Sequence, residues 1–373
     1  MRTFLITLLM LFSMPALAQT NRPQTPVAPF PYEVIDVTVP VHDQGTDEQT
    51  HTLGATITMP DADEFGDGPY VGVVLMSGSG MQDRDSTVFE HKPFMVIADY
   101  LTRRGIAVLR YDDRVVGDST GSVDGLTTQD LAHDGHEAAR FLMKYDRIDP
   151  DRVGVIGHSE GGGHVAYIGA RDESVAFLIS LAGVGVRGVE LMIDQTAAMY
   201  RDMGKDEEYI ATAMDIRRAI FEAGIDGEDE EEILNLIVEL NMHEYGIKEA
   251  NDVLRNTSRG MIPMFAGSWM SSFAAYDPGQ DWARVSGDVP VLAMNGSKDF
   301  QVSPKLNLGG IRAGLVAGRH NNYTIVELGA LNHLFQHAQS GMLAEYNTIE
   351  ETFAPEALVQ IESWIRTEII EQD

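Results

Sequence analysis

Short runs of uninterrupted apolar residues recur along the chain at 71–76, 106–109, 153–156, 175–179, 289–294 and 323–326. A run without polar alternation leaves no side for solvent, so each predicts a strand buried on both faces. Between several of them lie helix-like stretches. In residues 129–145, for example, Leu131, Ala138, Phe141 and Leu142 share one face at helical spacing. Such strands alternating with helices predict an α/β fold: a mostly parallel central sheet covered by helices on both faces. Ahead of them, residues 34–40 and 52–59 alternate apolar and polar positions around a polar loop containing Gly45, the pattern of an antiparallel strand pair.

One interval breaks the alternation. Residues 185–280 contain no convincing strand and read as helices rich in Met and aromatic side chains, among them Met192, Met199, Phe221, Met264, Phe265 and Trp269. Because the sheet pattern resumes afterwards, the interval is expected to be a helical cap inserted into one core of residues 32–184 and 281–373. The acidic stretch Asp226 and Glu228 to Glu232 precedes an apolar run and suits a helix start. In the cap, Met264, Phe265 and Trp269 are candidates for an adaptable apolar wall over a substrate.

The amino end carries an address. Met1-Arg2 is a short basic start, Phe4 to Phe12 is nearly all apolar, and Met14-Pro15-Ala16-Leu17-Ala18 offers small residues for cleavage. Residues 1–18 therefore read as a signal peptide, which predicts an exported, periplasmic or secreted protein. The proline-rich residues 19–31 read as an extended leader. Lys and Arg total 27 against 57 Asp and Glu, a formal net charge of -30, so nucleic acid and anionic membrane surfaces are poor partners. There are no cysteines, which excludes thiol nucleophiles, thiolate metal sites and a lipoprotein anchor.

The chemistry concentrates after the third run. Gly157-His158-Ser159-Glu160-Gly161 is a G-x-S-x-G between a strand and a glycine-rich helix start. That turn is tight enough to need small flanking residues, and it lifts a serine hydroxyl to the helix amino end. Such a hydroxyl needs a base, and the base needs an orienting acid, in the order Ser, acid, His. Asp299 follows the strand at 289–294 and His333 follows the strand at 323–326, which places Ser159, Asp299 and His333 at one sheet edge. His320 precedes its strand and is the weaker base; His337 lies one helical turn further on. The Ser77-Gly78-Ser79-Gly80-Met81 loop after the first parallel strand is the candidate oxyanion hole. One donor would be the Ser79 N–H, with Gly80 or Met81 as alternatives, and the other the Glu160 N–H. No G-K-[ST] follows, so the loop is not a phosphate cradle. His133, Asp134 and His136 read as an exposed helix face rather than a metal site, and no cofactor is expected.

These stretches resemble the α/β-hydrolase superfamily, and within it the EstD-type bacterial carboxylesterases of the serine aminopeptidase-like group. The resemblance rests on residues 78–85, Tyr111-Asp112-Asp113-Arg114 with Gly117 and Ser119, residues 157–162, residues 295–304 and Leu331 to Gln336. It implies triad roles for Ser159, Asp299 and His333. One departure is Ser77, which stands where many relatives have the His of a His-Gly loop. Asp112 and Arg114, like Arg84 and Asp85, are expected in structural ion pairs. The expected activity is hydrolysis of a small carboxylic ester. The alternatives are an aminopeptidase or amidase with the same triad, and a catalytically inactive binding protein.

Overall fold

The structure is a computed structural model and describes residues 21–372; the stretch 1–18, expected to be a signal peptide, lies outside the described residues. The strands are β1 (Glu33–His42), β2 (Gln49–Met59), β3 (Tyr70–Met76), β4 (Ile106–Tyr111), β5 (Ile148–His158), β6 (Leu178–Leu181), β7 (Val291–Gly296) and β8 (Tyr323–Leu328). They form one eight-stranded sheet in the order β1-β2-β4-β3-β5-β6-β7-β8. β2 runs antiparallel to β1 and to β4, and every pair from β4 onward is parallel. The carboxyl ends of β3, β5, β7 and β8 therefore open on one edge, where a parallel sheet places its ligands.

The core helices are α1 (Ala62–Phe65), α2 (Pro93–Thr102), α3 (Thr128–Leu142) and α4 (Glu160–Gly169). β3 illustrates why its run carries no polar residue. Val74 and Met76 pack with α3 and α4 on one face, while Val71, Val73 and Leu75 pack with α2 on the other. α3 starts at a capping box in which Thr127 and Asp130 each accept the other's backbone N–H.

Between β6 and β7 stand α5 (Gly188–Asp202), α6 (Glu207–Asp226), α7 (Glu230–Tyr245), α8 (Asp252–Arg259), α9 (Ile262–Ala266), α10 (Ser268–Ala275) and α11 (Pro278–Trp282). The acidic run supplies the Asp229 cap and the first turn of α7. α5, α6, α7, α9 and α10 share an apolar cluster separate from those on the sheet. α11 differs: Trp282 is fully buried with Ile311 and Leu315 of α12 (Pro304–Ala317) in the sheet's own core. α13 (Leu343–Tyr346) and α14 (Pro355–Ile365) follow, with α14 packed beside α2.

Three details depart from the sequence reading. β6 begins three residues later than the apolar run and continues through Ser180, whose buried hydroxyl donates to the Gly162 carbonyl at 2.9 Å. Asp134 lies buried rather than on an exposed face, because Arg114 donates to it at 2.6 Å and His51 meets it at 3.1 Å. The leader is docked rather than merely extended. Arg22 donates to the carbonyls of Phe89, Asn347 and Ile349, and Gln24 bonds the backbone of Thr352 and Phe353.

Candidate active site

Ser159 stands between β5 and α4 with φ 59° and ψ -120°, a conformation costly for a residue with a side chain. The turn persists because its neighbours leave no alternative. A Cβ on Gly157 would stand 2.0 Å from the Gly161 carbonyl oxygen, and one on Gly161 2.3 Å from that of Ser77. The Ser159 N–H donates to Leu181 at 2.9 Å, which fixes the serine against the adjacent strand.

Asp299 follows β7, and His333 follows its parallel neighbour β8. The His333 Nδ1 lies 2.7 Å from Asp299 Oδ2, and both side chains are buried. The other carboxylate oxygen accepts the Gln301 and Val302 N–H groups at 2.9 Å each. A carboxylate facing Nδ1 assigns the proton to that nitrogen and leaves Nε2 with its lone pair. Asn332 shapes the histidine loop by accepting the Leu334 and Gln336 N–H groups at 3.0 and 2.9 Å.

On the other side of the serine, the 77–82 loop presses on the Ser159 turn: a Cβ on Gly78 would lie 2.9 Å from Ser159 Cβ. Ser79 is exposed in this loop, and Glu160 is the first residue of α4, where a backbone N–H has no acceptor within the helix.

The sequence model of the prolyl oligopeptidase family matches residues 94–217, a stretch that includes Ser159 and stops before Asp299 and His333. The esterase EstD of Thermotoga maritima is 35% identical over 130 residues, covering 35% of this chain and 30% of that protein. An esterase of Pyrococcus furiosus superposes with TM-score 0.52 at 12% identity, covering 95% of this chain and all of the other. A proline iminopeptidase of Mycobacterium smegmatis gives TM-score 0.52 at 16% identity, covering 91% and 100%. The fold is that of the α/β hydrolases.

Within this α/β-hydrolase frame, His158 was not singled out from sequence, yet its ring lies 4.7 Å from that of His333. Its Nε2–H donates to the His333 carbonyl at 2.9 Å. Burial, helped by the neighbouring His333, pushes His158 down to about 3 and keeps it neutral. The only signal for it was its place beside Ser159.

Asp113 was also missed. It is 5% exposed and accepts the Ser77 hydroxyl and the Gln82 N–H, each at 2.9 Å. Burial pushes its carboxyl up to about 7 against the pull of those donors, and Asp134 and Glu160 add to the rise. Only the strand order, which sets the end of β4 beside that of β3, brings it under the loop.

The Glu160 side chain, 2% exposed, joins the insertion to the core. Its Oε1 accepts from Thr128 at 2.5 Å and from the Trp269 indole at 3.1 Å. Burial acts to raise its carboxyl, but His164, Thr128 and Ser79 outweigh that and hold it below the usual range. Of the three cap candidates, Trp269 is thus tied to the residue after the serine. Phe265, 4% exposed, packs on Phe221 inside the insertion, and Met264 packs against the same cluster.

The rival residues have other partners. His320 bonds the Val289 carbonyl at 2.8 Å, and His337 lies between Glu351 and Glu356 at 2.9 and 3.0 Å. Asp112 pairs with Arg84 at 2.5 Å, Arg114 with Asp134, and Asp85 with Arg110 and Lys92. His133 bonds the His42 carbonyl and His136 meets Asp172. Among the described residues no group of three or more acidic or histidine side chains is arranged to hold a metal ion.

Proposed function

We propose that the protein is an exported serine hydrolase that cleaves carboxylic esters through an acyl-enzyme on Ser159. The observation that carries this reading is the buried Asp299–His333 hydrogen bond of 2.7 Å, whose histidine packs on the residue preceding a strained serine. His333 Nε2 takes the Ser159 proton as Oγ attacks the carbonyl. The N–H groups of Glu160 and Ser79 receive the oxyanion, and His333 returns the proton to the departing alcohol. Water then attacks the acyl-enzyme with His333 again as base, releasing the acid. Asp299 holds the imidazole's orientation and stabilises its charge.

Ester over peptide is supported by the EstD match, and the insertion reaches the residue after the serine through the Trp269 indole. One observation favours the aminopeptidase alternative. Glu160 Oε2 is buried and has no hydrogen-bond partner among the described residues, and an ammonium group would satisfy it. Glu207, an acidic residue at the start of α6 in the insertion, is exposed and paired with Arg201 at 2.9 Å.

Two measurements test the proposal. A fluorophosphonate should label the wild type and not Ser159→Ala; labelling elsewhere would move the nucleophile. Nitrophenyl esters of short and medium acids should exceed aminoacyl and prolyl anilides by at least about 10² in kcat/KM, roughly 2.7 kcal/mol at the transition state. Faster anilides would replace the esterase reading with the aminopeptidase. Export rests on the 1–18 pattern, and a mature chain starting near Gln19 outside the cytoplasm is the expected outcome.

A further inference from the structure

The loop that receives the oxyanion has little stiffness of its own. Residues 77–82 contain Gly78 and Gly80, the latter at φ 96°, where glycine is at home and other residues are strained. Yet a donor must sit about 2.7–3.1 Å from the oxyanion to be effective. Something outside the loop has to hold it.

β3 and β4 are parallel neighbours with Leu75 opposite Arg110, so the loop leaving β3 crosses the end of β4. Asp113 waits there. Its carboxylate accepts the Ser77 hydroxyl at 2.9 and 3.1 Å and the Gln82 N–H at 2.9 Å, and its own N–H donates to the Gln82 carbonyl at 3.0 Å. One side chain thus fastens both ends of the loop. On the opposite side the same loop bears on the nucleophile turn, through Gly78 against Ser159 and the Ser77 carbonyl against Gly161.

We propose that Asp113 is the positioning residue of the oxyanion loop: it ties Ser77 to Gln82 and so sets the direction of the Ser79 N–H over Ser159. The proposal rests on the serine-hydrolase reading above. Asp113 touches no reacting atom; it acts through the backbone it holds. It also gives Ser77 a task. A short hydroxyl reaches the carboxylate beneath it, so the loop is anchored from below by this pair.

The test uses the full mature chain with a nitrophenyl butyrate and a trifluoromethyl ketone, whose adduct with the serine places an oxyanion in the hole. Asp113→Ala should lower kcat about 10- to 100-fold with KM within about threefold, the scale of a displaced catalytic group. Its affinity for the ketone should fall by a similar factor. Asp113→Asn keeps an acceptor for Gln82 and a donor for Ser77, and should retain activity within about fivefold. Ser77→Ala, milder and a safeguard if Asp113→Ala does not fold, should cost about 3- to 10-fold in kcat, and nothing further when combined with Asp113→Ala. The proposal is overturned if Asp113→Ala or Ser77→Ala leaves kcat and ketone affinity within twofold, if the losses appear in KM alone, or if the two substitutions add independently. Fluorophosphonate labelling of wild-type Ser159 separates the cases. Without labelling the hydrolase reading itself fails; with labelling and unaffected variants, only the role of Asp113 does.

Discussion

The sheet and the insertion use apolar residues in opposite ways. In the sheet, a strand such as β3 divides its side chains between two helical layers, with α3 and α4 on one face and α2 on the other. In the insertion, α5 to α7, α9 and α10 bury their Met and aromatic side chains mainly against one another. The insertion meets the candidate site through α10 and through Asp194 of α5, which accepts the Ser303 hydroxyl at 2.6 Å. Trp269 bonds Glu160, and the Ser272 hydroxyl accepts the Thr128 N–H at 3.0 Å. A region rich in binding-type side chains is therefore mostly self-satisfied, and its influence on the serine passes through few contacts.

The largest expected effect lies on the sheet side of this contrast. Ser159→Ala and His333→Ala should each lower kcat by about 10³-fold or more with the fold intact, measured by ester turnover and circular dichroism. Retention of a tenth of the activity in Ser159→Ala would remove the serine from its role. Asp299→Asn should slow turnover by about 10²- to 10⁴-fold, since Asn still accepts the Gln301 and Val302 N–H groups but no longer stabilises the imidazolium.

Next comes a pair that pulls the two regions apart. Phe265→Ala should destabilise the insertion by about 3–5 kcal/mol in denaturant unfolding and leave acyl-chain preference unchanged. Trp269→Phe should cost only about 1 kcal/mol of stability, yet change kcat/KM between short and medium acyl esters by several-fold. Equal effects on preference would show the insertion's interior to be substrate wall after all.

The smallest effect is a pH-dependent one. Folding raises Asp113 from its ordinary 3.8 to about 7, so between those values the folded chain holds more protons than the unfolded one. This group's contribution is then fully favourable below about pH 4 and is lost as pH rises through about 7. The groups around it are Asp134 from α3, Glu160 from α4, and Arg114 and Tyr111 beside it in the chain. Asp113→Asn cannot ionise, so it should melt about 2–5 °C above the wild type at pH 8 and close to it at pH 4–5. A constant difference across pH would mean that the carboxyl is not the titrating group.

Much of this was legible in residue order. The uninterrupted runs located six strands of the parallel part, and the elbow glycines marked a turn that side chains would block. β5 starts earlier than its run, since Asp149, Asp151 and Arg152 are polar and break the apolar pattern although Ile148 already pairs with Tyr70. β6 was misplaced because a buried serine interrupts its pattern. His158, Asp113 and the Glu160 carboxylate were hidden for a different reason. Their roles are set by which strand lies beside which and by a helix that returns from a hundred residues away, information that local pattern does not hold.

The docked leader has a consequence for assembly. Arg22 and Gln24 bond residues more than three hundred positions later, in the segment that follows the histidine loop. A chain delivered amino end first exposes this fastener long before its partner arrives, and closing so long a loop is slow. The segment from Asn347 to Phe353 is then among the last parts to be secured. Until its end emerges, the sheet can be built and the Ser159 turn formed while the 347–353 segment lacks the leader that fastens it, so the shape of the core precedes the closing of its last segment.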